Sequence, residues 1–206
     1  MQDDFNGPSQ EGIGYYQFTQ KNARRASAAT VYLKPAKPRQ NLTIKYNTQS
    51  RRLIFEGENI VGVETMTGQI FHAEREVVLT AAAIGSPKLL FQSGIGPADH
   101  LREISIKIPQ ILPGVGSNLQ DHLDLFVISE CTGPVASALF SQGGFCYADE
   151  NTRSPDVQFH FGLGSGIEAG VAAMKNGGAT LNSAFMRPRS RGTVRLKSDS
   201  PNQAPR

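Results

Sequence analysis

The chain has no tryptophan and only two cysteines, Cys131 and Cys146, in 206 residues. With no Cys-x-x-Cys spacing and no His/Asp pairing beside them, these thiols exclude the usual zinc arrangements and read as buried or free. No apolar run is long enough to cross a bilayer, and Met1-Gln2-Asp3-Asp4 is acidic where a secretory leader is basic. The expectation is a cytoplasmic chain with no transmembrane segment. A basic block is also lacking: the formal charge is +3 and the cations fall in scattered pairs such as Arg24-Arg25 and Arg51-Arg52, so no nucleic-acid partner is expected. The densest stretch, Arg187, Arg189, Arg191, Arg195 and Lys197, reads as a solvated hairpin face. What is present is a globular composition, 39% hydrophobic and 19% charged, with 21 glycines and 12 prolines that predict many turns.

Periodicity divides the chain coarsely. A short helix is predicted near Ala26–Leu33, ending at Pro35. Leu42, Ile44 and Tyr46 then alternate with polar residues, and Leu53-Ile54-Phe55, Ile60–Met66 and Gln69–His72 follow between Gly57 and Gly68 turns, which predicts an antiparallel meander. The run Val77-Val78-Leu79 predicts a strand buried on both faces. Ser86 reads as an N-cap and Pro87 as the first residue of a helix that Gly94 or Gly96 stops. A second short helix is expected from Pro97 to Ile104. Further strands are predicted at Leu125–Glu130, Val157–Phe161 and Thr193–Leu196, with a glycine-rich mobile stretch at 162–178.

Small residues closing a strand let a cofactor or another backbone approach closely, because no bulky Cβ substituent intervenes; Thr80, Ala81, Ala82 and Ala83 have that property, although tight strand–helix packing explains them equally well. The string Ser86-Pro87-Lys88-Leu89-Leu90-Phe91-Gln92-Ser93-Gly94-Ile95-Gly96 and, downstream, Pro113-Gly114-Val115-Gly116-Ser117-Asn118-Leu119-Gln120-Asp121-His122 resemble two ordered motifs of the glucose-methanol-choline (GMC) oxidoreductases. Asp4-Phe5-Asn6-Gly7, Arg25-Ala26-Ser27 and Ser190-Arg191-Gly192-Thr193-Val194-Arg195-Leu196 extend the likeness to choline dehydrogenase-like members. Members commonly carry glycine at the position of Ala82, so a methyl group there is tolerable only at an ordinary φ.

The resemblance implies an α+β or α/β fold: residues 1–122 as the central part of a glutathione-reductase-like FAD-binding domain with its meander, and 123–206 as the start of a β-sheet substrate domain. It implies FAD as cofactor, with Thr80, Ala81, Ala82, Ala83, Ser86, Asn118, Asp121 and His122 near it, and oxidation of a primary alcohol to an aldehyde with hydride passing to flavin. The particular alcohol and the electron acceptor stay open. It further implies an incomplete fold, inactive by itself, since no Gly-x-Gly-x-x-Gly follows a strand to seat the pyrophosphate and the family's C-terminal histidine has no counterpart. Asp121 and His122 invite a catalytic reading, but neighbours in sequence seldom face each other and a loop-fixing role is preferred. His160 lies between Phe159 and Phe161, so on a strand it points away from both rings and is a candidate for lining a substrate cavity. The competing reading is a noncatalytic nucleotide-binding or interaction module built on the same elements.

Overall fold

The computed structural model describes residues 1–22, 24–133, 142–165, 174–175 and 177–206. In chain order its elements are β1 (Gly12–Tyr15), β2 (Gln20–Lys21), β3 (Arg24–Arg25), a π-type turn at Ala29–Leu33 continuing as α1 (Lys34–Ala36), β4 (Ser50–Glu56), β5 (Asn59–Thr65), β6 (Ile70–His72), α2 (Ala82–Gln92), β7 (Ile95–Gly96), α3 (Ala98–Glu103), β8 (Gln110–Ile111), β9 (Leu123–Glu130), β10 (Gln142–Cys146), β11 (Val157–Leu163) and β12 (Gly178–Phe185). This is a mixed helix and sheet fold. Most of the expected mobile stretch, 166–173 with residue 176, lies outside the described residues. Among the described residues no helix is long and apolar enough to cross a membrane.

The chain forms two compact units, one of residues 1–42 with 121–189 and the other of 43–120 with 190–206. The expected division is a single cut at 122/123, whereas each of these units is built from two stretches of the chain. Residues 190–206 return to the earlier unit because Leu119 and Gly192 exchange backbone hydrogen bonds of 2.9 and 2.7 Å, and Val194 N–H donates to the Gly116 carbonyl at 2.8 Å. The segment 193–196 is therefore a strap on the 116–119 turn, not the full strand expected.

In the unit of 43–120 and 190–206, β4, β5 and β6 form a three-stranded antiparallel sheet. The alternation at Leu42–Tyr46 builds no strand: no described strand pairs with it, and Tyr46 is exposed. A register shift between Ser50 and Arg52 brings both Arg51 and Arg52 to Glu64, at 3.1 and 2.6 Å, and the hydrogen bond from Arg52 leads in holding the carboxyl below its ordinary range. Two apolar clusters underlie the unit, Leu53, Leu89 and Ile95 in one and Phe91, Leu101 and Leu196 in the other, with Val115 touching both. Ser93 joins sheet to helix, since its Oγ accepts from Leu53 N–H at 2.9 Å and donates to the Leu89 carbonyl at 2.6 Å. Residues 77–80 form no strand and pair with no described strand: Val77 and Leu79 pack on the first cluster, while Val78 is 71% exposed. The expectation of a strand buried on both faces is corrected here to an irregular segment covered at Val77 and Leu79 only.

His100 is buried between the Phe91 ring, 5.2 Å away, and the Leu196 N–H, which donates to its Nε2 at 3.2 Å. Burial first, and then the Arg195 charge, push its pKa down, against a small opposing pull from Glu103. A histidine with a depressed folded pKa contributes fully above its unfolded value and loses that contribution as the pH falls below it. Stability should thus decline from about pH 6.5 downward, with a slope of up to about 1.4 kcal/mol per pH unit for each proton taken up. Denaturant titrations from pH 8 to 5 check this, and His100→Gln should give the shallower slope.

The other unit is built on an antiparallel sheet ordered β1-β10-β11-β12-β9. Its registers place Ile13, Tyr15, Phe161, Leu181, Leu123, Leu125 and Val127 on one face, and all seven are substantially exposed, Leu123 and Leu125 more than 70%. Gly14, Gly143, His160, Asn182 and Phe126 form a row across the opposite face. Contiguous apolar surface of this kind binds hydrophobic dyes. We expect the folded chain to enhance anilinonaphthalene sulfonate fluorescence, and Leu125→Lys combined with Val127→Lys to remove at least half of that signal, measured below the melting transition.

Candidate functional site

Helix α2 begins earlier than its composition suggests, at Ala82, with Ala81 as its uncapped N-terminal residue. Ser86 is consequently not a cap, and Pro87 sits inside the helix. Having no N–H, Pro87 removes the bond that the Ala83 carbonyl would accept within the helix. Ala82 itself adopts a φ of 58°, the left-handed region that costs an L-residue roughly 1–2 kcal/mol. The ordinary φ on which tolerance of the methyl group depends is not kept. Thr80, Ala81, Ala82 and Ala83 are all exposed, so no side chain of the described unit fills this junction.

Beside it opens a cavity of about 470 Å³, lined by Ala83, Ser86, Pro87 and Leu90 from α2, residues 115–120 from the following turn, and Val194. Of the predicted positions, the structure brings Ala83, Ser86 and Asn118 to this cavity; Thr80, Ala81 and Ala82 lie in the segment leading into it. The turn has a built shape. Gly116 and Asn118 both hold positive φ, 66° and 63°, and a Cβ on Gly116 would stand 2.6 Å from Phe91 Cζ and closer still to the Val194 carbonyl. Arg195 locks the turn: its Nη1 donates to the Gly116 carbonyl at 2.6 Å and its Nη2 to Ser117 Oγ at 3.1 Å, while its guanidinium lies 5.9 Å from the Phe91 ring centre. The reading of Arg195 as part of a solvated face is thereby corrected. The sequence offered only a hint, a glycine two residues before Asn118 with no turn assigned to it.

Asp121 and His122 fall in the other unit and are exposed. The Asp121 carboxylate accepts from the His122 backbone N–H at 3.0 Å, which fixes a loop and does not orient the imidazole. His160 lies on β11 in the same unit, opposite Gly143 on β10 and Asn182 on β12. The Tyr16 ring lies 5.1 Å from it, and burial depresses the imidazole pKa while Asp124 pulls the other way. The lowered pKa favours the neutral imidazole, which carries one donor and one acceptor nitrogen. Asn182 Oδ1 is buried there and meets no hydrogen-bond partner among the described residues. Among the described residues no cluster of His, Cys, Asp and Glu is arranged to hold a metal.

The motifs, the small-residue junction and the cavity beside it are those of a flavoprotein segment, and the chain belongs to the GMC oxidoreductase family, whose model matches residues 1–124. Over 98% of its length it is 38% identical to the oxygen-dependent choline dehydrogenase of Brucella ovis, of which it covers 42%. In structure it is similar to pyridoxine 4-oxidase from Mesorbium loti, with a TM-score of 0.80, 28% identity and coverage of 98% of this chain and 42% of that one. An FAD-dependent oxidoreductase from Chaetomium thermophilum shares the fold at a TM-score of 0.78 and 20% identity, over 96% of this chain and 46% of its own. The chain thus spans less than half the length of the relatives it matches.

Two substitutions test the backbone account. Ala82→Gly relieves the left-handed strain and should raise stability by up to about 1 kcal/mol. Gly116→Ala meets both strain and contact and should lower it by about 2 kcal/mol or more. Paired melting curves read both, and equal midpoints for Ala82→Gly and the parent would show that the φ at position 82 carries no cost.

Proposed function

We propose that this chain supplies part of the cofactor and substrate surfaces of an FAD-dependent oxidoreductase acting on the CH–OH group of a primary alcohol. Family membership supports the class, and the observation that carries the cofactor assignment is the open cavity between α2 and the 115–120 turn. Its residues fit a dinucleotide: small side chains at 80–83 leave backbone accessible, Ser86 offers a hydroxyl, and Pro87 has no N–H to donate to the Ala83 carbonyl. Bound there, FAD supplies the two-electron acceptor for alcohol oxidation. The protein's part is to cradle the cofactor with Thr80, Ala81, Ala82, Ala83, Ser86 and Asn118, and to fix the adjoining loop with Asp121 and His122.

In the other unit His160, favoured in its neutral form, is suited to hydrogen-bonding an alcohol hydroxyl. No turnover is expected of the isolated 206 residues, which contain neither a Gly-x-Gly-x-x-Gly motif nor the histidine that family resemblance sets over the flavin. Added FAD should nonetheless bind weakly and saturably, seen as quenching of its fluorescence. Ser86→Trp, which fills the cavity, should weaken that binding tenfold or more. Saturable binding that Ser86→Trp leaves unchanged would falsify the placement of the cofactor, and alcohol-dependent bleaching of bound flavin would overturn the statement that the chain does not turn over.

A further inference from the structure

On β10, residues 142–144 read Gln-Gly-Gly, and Gly143 stands directly opposite His160. A Cβ at Gly143 would overlap the Phe159 carbonyl and the Tyr16 ring. Tyr16, immediately after β1, occupies that space. Its hydroxyl donates to the Phe159 carbonyl at 2.5 Å and accepts from Gln158 Nε2 at 3.3 Å. Its ring packs on Phe5 at 5.2 Å, on Phe145 at 6.2 Å and on the His160 imidazole at 5.1 Å with a tilt of 39°. A strand histidine has alternative staggered rotamers, and one that leaned toward β10 would enter the space the Tyr16 ring fills.

We infer that Tyr16, seated in the slot that Gly143 leaves, is the positioning residue that sets the His160 imidazole on the row it shares with Asn182. This rests on the reading of His160 as the alcohol-facing group. Tyr16 acts through packing and through its anchored hydroxyl, so it needs no contact with the substrate. The glycine stands where β-propensity disfavours one, and a Cβ there would meet both the Phe159 carbonyl and the Tyr16 ring.

The test uses the 206-residue chain and its variants Tyr16→Leu, Tyr16→Phe and Gly143→Ala, with imidazole nitrogen NMR of His160 assigned by its loss in His160→Asn. Choline chloride, the alcohol named in the curated relatives, is the probe. Tyr16→Leu and Gly143→Ala should move the His160 titration midpoint upward toward the ordinary histidine value and weaken choline binding roughly tenfold, equivalent to about 1.4 kcal/mol. Tyr16→Phe keeps the ring and should recover most of both. If Gly143→Ala does not fold, the Tyr16→Leu and Tyr16→Phe pair decides. Identical His160 midpoints and tautomer signals in folded Tyr16→Leu and the parent overturn the inference. Ligand-free differences that persist while choline moves no His160 signal support the positioning role and sink the alcohol-facing reading instead.

Discussion

The fully buried ring of Phe91 determines where the walls of the cavity stand. It lies in α2, behind the cavity, and is enclosed on several sides: a Cβ on Gly96 would stand 2.7 Å from its Cδ1, Gly116 is equally intolerant on its far edge, His100 meets it edge-on, and Arg195 lies over its face. Burying a phenylalanine side chain contributes roughly 1.5–3 kcal/mol. Here that burial is coupled to position, since two glycines let the backbone close on the ring and the 115–118 turn is drawn against the helix as a result. The cavity is the space left between a helix start that carries no bulk and a turn that cannot move away.

Much of this arrangement was legible as local pattern and little of it as tertiary path. Apolar stretches bounded by turn signals located β4, β5, β9 and β11, and Gly94, at a φ of 80°, ended α2 as a C-terminal glycine does. The period-two alternation at Leu42–Tyr46 misled, because a strand needs a partner and none of the described strands reaches it. Ser86-Pro87 misled for the opposite reason. The pair has the chemistry of a helix start, but the preceding alanines continue the helix backward and tertiary packing of Leu89 and Phe91 pays for the proline. Nothing local foretold that residues 190–196 would strap the 116–119 turn, or that Arg195 would be taken out of a row of surface cations to lock it.

The two faces of the five-stranded sheet make a related point about what alternation conveys. One residue of register separates a face of Ile13, Leu125, Val127 and Leu181 from a face carrying His160, Asn182, Gln158 and Thr180. Alternation in β9 and β11 identifies both sets but does not say which is meant for a ligand. That distinction comes from polar satisfaction. On the second face Thr180 Oγ1 donates to the Gly164 carbonyl at 2.7 Å and Gln158 bonds Tyr16, whereas Asn182 Oδ1 is buried with no partner among the described residues. An unmade hydrogen bond of that kind costs about 1–3 kcal/mol, and native structures tolerate few of them.

Departures from local rules also coincide at the start of α2. An L-residue at positive φ, a helix with no side-chain cap and a proline inside it occur within seven residues, Ala81 to Pro87, and each opposes folding on its own. A sequence selected for stability alone would remove all three with a glycine, a serine cap and an alanine. That they fall together, on the wall of a cavity lined by both family motifs and in the segment leading into it, is the pattern expected where local cost is retained for a site. The inference runs from the strained backbone to the ligand it would serve, and it holds independently of the motif match, because φ at Ala82 and the missing N–H at Pro87 are properties of this chain's own geometry.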